Sequence, residues 1–98
     1  MRLSQEQVAM IRQVVEEAAG VGVGVRLFGS RLNDELKGGD IDLLIELNEV
    51  VERPAILSAQ IASRISRRLD GRHVDVVIAA PNLNELPIHR IARQGQLL

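Results

Sequence analysis

The sequence predicts a small mixed β-sheet of the α/β (α+β) class, with helices on one face. Three observations predict it. Two stretches carry apolar residues at helical spacing, and three shorter stretches alternate or run apolar. They interleave as helix, strand, strand, helix, strand, an order that lays helices against a sheet. At 98 residues the chain is read as one domain over 1–98, with a real but modest core.

Ser4, with Gln7 three residues on, forms a capping-box pattern ahead of Val8, Ile11, Val15 and Ala18. The spacing predicts a helix over 4–19, stopped by Gly20. Val21, Val23, Val25 and Leu27 alternate into a strand over 23–28. Gly29-Ser30 ends that strand, a short helix over 30–36 follows, and Gly38-Gly39 marks a turn. The next strand runs over 40–47, with Ile41, Leu43, Ile45 and Leu47 toward the helices. Asp40, Asp42, Leu44 and Glu46 share its other face. Pro54 suits the first turn of a helix over 54–69, whose stripe is Leu57, Ile61, Ile65 and Leu69, with Gly71 behind it. A strand over 73–79 puts Val74, Val76 and Ile78 on one face and His73, Asp75, Val77 and Ala79 on the other. Pro81 and Pro87 punctuate a loop, and 87–94 forms a last short helix. The face bearing Asp40, Asp42 and Asp75 is expected to lie open for ligand.

Composition excludes several classes of function. The net charge is -1, so no global basic field recruits nucleic acid. Phe28 is the single aromatic residue, which removes stacking platforms for bases. Cysteine is absent, and with it disulfides, thiolate nucleophiles and Cys-ligated zinc. No apolar run reaches the roughly 18 residues of a membrane span, and no signal-peptide pattern opens the chain. A cytoplasmic protein is the expectation.

The chemistry concentrates between Gly29 and Asp42. Asp40 and Asp42 are i and i+2 on a strand and aim side by side, which would raise one pKa unless a cation lies between them. A divalent ion with a taste for hard oxygen ligands, magnesium above all, resolves that repulsion. Gly29 and Ser30 at a strand-to-helix turn offer backbone N–H groups and a hydroxyl to phosphate oxygens. Arg31 and Lys37 flank this loop and suit triphosphate charge. Asp75, a lone carboxylate in Val74-Asp75-Val76-Val77-Ile78, is a third metal ligand or the base that takes a proton from an attacking hydroxyl. The bland alternatives are solvated strand positions for the aspartates and an ordinary strand exit for Gly29-Ser30. Aspartate is depleted in strands, however, and paired carboxylates there cost stability. Gly20, Gly22 and Gly24 precede a strand rather than a helix, so they read as a turn and not a phosphate loop. Arg64, Arg67, Arg68 and Arg72 read as a solvated face, or else as a docking patch for an acidic partner. His73 shares the face of Asp75, while His89 stands alone.

Gly29-Ser30, nine further residues, Asp40-Ile41-Asp42-Leu43 and a later Asp75 in an apolar strand resemble the minimal nucleotidyltransferases of the DNA polymerase β superfamily. The resemblance spans about Val23 to Ile78. It implies the polymerase-β-like nucleotidyltransferase core and two Mg2+ ions. The implied reaction transfers a nucleoside monophosphate, AMP from ATP first among them, with release of pyrophosphate. By the same resemblance Asp40, Asp42 and Asp75 are the catalytic and metal-binding residues, and Gly29 and Ser30 hold the triphosphate. Small members of this kind, the MntA-like antitoxins, are often encoded beside a helical HEPN-type protein, and some transfer AMP onto it. Such a partner, or a homodimer, is therefore expected to complete the cleft. The chain departs from the common pattern in having Leu32-Asn33-Asp34 after Arg31, where many members have Ala-Arg-Gly, and Gly39 where a Ser often precedes the first Asp. Two rival readings are a non-catalytic module that neutralises a partner by contact, and nucleotidyl transfer to a small molecule.

Overall fold

A computed structural model of the chain describes residues 3–29 and 40–98. Helix α1 spans Gln5–Ala19. The Gln7 amide donates to Ser4 Oγ at 3.1 Å, and the Ser4 amide donates back to Gln7 Oε1 at 2.9 Å, so the expected capping box forms. Strand β1, Gly24–Phe28, and strand β2, Ile41–Glu46, follow. Helix α2 covers Pro54–Arg68 with Pro54 in its first turn. Strand β3 is Val74–Ala79, helix α3 is Pro87–Arg93, and strand β4 is Gln96–Leu97. The expected short helix over 30–36 lies outside the described residues. No described helix is long and apolar enough to cross a membrane.

The four strands form one mixed sheet in the order β3-β2-β1-β4. β1 is antiparallel to both β2 and β4, whereas β2 and β3 run parallel, with α2 as their crossover. Helices α1 and α2 pack together on one face. There Ile11, Val15, Ile61 and Ile65 meet Leu27, Ile41, Leu43 and Ile45 in a continuous buried cluster. The strand alternation is as the sequence predicts.

The opposite face is not bare, as the sequence reading had it. Phe28, Leu44 and Ala79 on that face are buried with Ala92 of α3. Leu44 alternates away from the main core yet is apolar and fully buried, so it needs a cover, and α3 supplies it. His89 fastens this helix. Its Nδ1 accepts the Leu86 amide at 2.8 Å, and its Nε2 donates to the Ile78 carbonyl at 2.9 Å. β4 was not expected either. Two exposed residues leave no periodicity to read. They reach β1 because Gly95 carries no side chain, since a Cβ there would collide with the Leu27 carbonyl.

Candidate active site

Strand direction gathers the acidic residues. The antiparallel pairing of β1 and β2 sets Phe28 opposite Asp42, so the end of β1 meets the start of β2. The parallel pairing of β2 and β3 sets Asp42 directly beside Asp75. Residues opposite each other on neighbouring strands share a face. Gly29, Asp42 and Asp75 therefore converge at one end of the sheet, on the face opposite α1 and α2, and Asp40 opens β2 beside them.

That convergence has an electrostatic consequence. The Asp42 carboxyl is held above its ordinary value of 3.8. Partial burial is the largest cause, and the charges of Asp75 and then Asp40 add to it. A side-chain hydrogen bond between Asp42 and Asp75 acts in the same direction, as a shared proton would, while His73 opposes the rise. The nearest arginine on this face of β1, Arg26, is committed elsewhere. Its Nε donates to Glu46 Oε1 at 2.7 Å, and Glu46 also faces Arg93 at 3.7 Å.

Gly29 completes the end of the site with a φ of 77°. A Cβ at this position would overlap Asp42 Oδ2 and lie 3.2 Å from its Cγ. The glycine thus serves two ends at once, a left-handed turn out of β1 and close approach of the backbone to a carboxylate. His73 Nε2 stands 2.9 Å from Asp75 Oδ1, and in the tautomer with its proton on Nε2 it donates to that carboxylate. The i, i+2 spacing of His73 and Asp75 is the sequence signal for this contact.

Of the residues singled out from the sequence, the fold brings together Asp40, Asp42, Asp75 and Gly29. Ser30, Arg31 and Lys37 lie outside the described residues. Among the described residues, no group of three or more His, Cys, Asp or Glu side chains is gathered into a metal-binding cluster. The closest approach is the Asp42–Asp75 pair, with Asp40 coupled to it through charge. Arg64 lies on α2, across the sheet from this site, and pairs with Glu17 at 2.6 Å. Arg67 and Arg68 occupy the last turn of α2, where cations complement the helix dipole. His89 is buried in the α3 anchor and does not line the acidic end. Phe28 is the contributor that sequence reasoning passed over. Its place in the register opposite Asp42 depends on strand pairing, which no local pattern encodes.

A family model described as a nucleotidyltransferase domain matches residues 8–97 of the chain. No curated protein matches it.

Proposed function

Because the chain belongs to the nucleotidyltransferase domain family, we propose that it transfers a nucleoside monophosphate from a nucleoside triphosphate, ATP in the first instance, to an acceptor hydroxyl. The observation that carries this reading is the convergence of Asp42 and Asp75 in register on neighbouring strands, beside Gly29. Structural economy gives no reason for such a pair, because like charges side by side destabilise a sheet.

The residues fit divalent ions on their chemistry. Asp42 is pushed toward its protonated form by partial burial first and then by the charges of Asp75 and Asp40, and carboxylate oxygens freed of that proton are the hard ligands magnesium takes. Asp40, Asp42 and Asp75 would hold the metal, with Asp40 closing on the pair. Bound magnesium would supply charge neutralisation and Lewis-acid polarisation of the phosphate oxygens. Around it the chain's own groups have distinct tasks. Gly29, with Ser30, Arg31 and Lys37 beyond it, receives the triphosphate, its missing Cβ leaving the backbone approachable. Asp75 accepts the hydroxyl proton, and His73 holds Asp75 by its Oδ1. The acceptor oxygen bonds to the α-phosphorus, the bond from that phosphorus to the bridging oxygen breaks, and pyrophosphate leaves.

The acceptor is supplied by another chain in this reading, and a helical HEPN-type protein in the same cytoplasm is the candidate. The chain then acts as an antitoxin by modifying it. The support is the resemblance of the Gly29-Ser30…Asp40-x-Asp42 element to small members of the superfamily.

The test is label transfer from ATP carrying label on its α-phosphate, with magnesium, in lysate of the source organism. Asp42→Asn should lower transfer by roughly 100-fold or more, the scale on which single electrostatic groups act in a transition state. A folded Asp42→Asn protein that labels the acceptor at the wild-type rate would overturn the reading.

A further inference from the structure

We propose that His73 is a positioning residue for the divalent ion, its Nε2–H bond to Asp75 Oδ1 fixing which carboxylate oxygen is offered to that ion. The inference rests on the metal reading given above and adds to it a group outside the three carboxylates. His73 and Asp75 are i and i+2, and side chains at that spacing on an extended chain rise from the same face. The main chain at residue 73 is itself fixed, because the Ile41 amide donates to the His73 carbonyl at 3.0 Å. The register that pairs Ile41 with Val74 sets His73 beside Asp40 one step earlier. The ring thus stands among the acidic positions, and its Nε2 meets Asp75 Oδ1 at 2.9 Å. Among the described residues it is the one side-chain nitrogen that pairs with Asp40, Asp42 or Asp75.

Carboxylates that ligate a metal are themselves hydrogen-bonded by a neighbour, which fixes their orientation. With the ring proton on Nε2, Asp75 Oδ1 is engaged and Oδ2 is left for the ion. A single offered oxygen suits magnesium, which holds to octahedral geometry, whereas calcium also accepts a carboxylate through both oxygens. The exposed setting separates orientation from stability. Side chains 64% and 55% exposed gain little from pairing, so the contact orients Asp75 rather than holding the fold.

A bare charge effect has the opposite sign. A positive neighbour repels a cation, so removing it would tighten metal binding. Removing a hydrogen bond that orients a ligand loosens it. The two accounts part on the direction of the change, which is measurable without any turnover.

The experiment titrates Mn2+, a paramagnetic substitute for Mg2+, into the full chain and counts the free ion by electron paramagnetic resonance. Mg2+ and Ca2+ are then read by competition, and nitrogen NMR of the His73 ring reads which nitrogen carries the proton. The proton should lie on Nε2. His73→Ala should weaken Mn2+ and Mg2+ about tenfold, the scale of a lost outer partner, and weaken Ca2+ less. His73→Gln keeps an N–H donor and should recover most of the loss. Metal-free melting should be the same in all three proteins. The proposal is overturned if His73→Ala binds Mn2+ as tightly as wild type or more so, if Mg2+ and Ca2+ weaken equally, or if the ring proton lies on Nδ1. It is equally overturned if His73→Gln recovers nothing, or if His73→Ala melts lower without metal. A wild-type chain that binds no Mn2+ overturns the metal reading and this inference together, whereas wild-type binding that His73→Ala retains overturns this inference alone.

Discussion

The Asp42 carboxylate is held at a cost to the stability of the fold. Its folded pKa is raised above 3.8, chiefly by burial and then by Asp75 and Asp40, so the folded chain holds this proton more tightly than the unfolded chain. The associated stability is fully present below the ordinary carboxylate value and is lost as pH rises through the raised value. Asp42→Asn should therefore melt a few degrees higher than wild type at neutral pH. That advantage should vanish as pH falls toward 3.8, and calorimetric scans at the two pH values would check it. Magnesium in excess should raise the melting temperature of the wild type and leave the variant where it was. Gly29 has the opposite character, because nothing larger fits. Gly29→Ala combines a positive φ with a Cβ driven into Asp42 Oδ2. It should cost about 1–2 kcal/mol in urea denaturation, the penalty of a left-handed residue with a Cβ, and should reduce transfer as well.

Helices α1 and α2 and strands β1, β2 and β3 were legible because each declares itself locally. Ser4 and Gln7 cap the first helix, Pro54 starts the second, and Val, Ile and Leu recur at period 3.6 or 2 within single segments. Asp42 and Asp75 could be placed on one face for the same reason, since alternation along a strand needs no partner. What stayed hidden depends on pairing between distant segments. β4 is held by the bareness of Gly95 rather than by its own residues. α3 was foreseen from Pro87, but its side of the sheet was not. Hydropathy would bury Ile91, which is 58% exposed, whereas the buried residues are Ala92 and the polar His89. His89 is the anchor because both ring nitrogens find partners on other segments. His89→Phe keeps the bulk and leaves the Ile78 carbonyl and the Leu86 amide unsatisfied. It should destabilise the protein by about 2–3 kcal/mol in chemical denaturation, with amide protection lost first in α3.

At the scale of the whole molecule, the sheet is clad unequally. α1 and α2 pack on one face and α3 on part of the other, where among the described residues Asp40 and Asp75 are exposed and Asp42 is half-buried. Ala92 is the small residue that lets α3 settle on Leu44 and Phe28. Ala92→Leu should overpack this second, thinner core by about 1–3 kcal/mol, read as a lowered denaturation midpoint. The parallel register of β2 and β3 has a temporal consequence as well. Asp42 and Asp75 belong to strands joined only through the whole of α2, so a chain emerging from synthesis cannot form the acidic pair until β3 has been made and docked. β1 and β2 can meet before that, and Asp42 then feels only the charge of Asp40 on its own strand. The docking of β3 is the moment at which the larger repulsion, from Asp75, is added. That step is thus one that protons or divalent ions ease, and it comes before α3 and β4, the last elements of the chain, can cover the second face and the edge of β1.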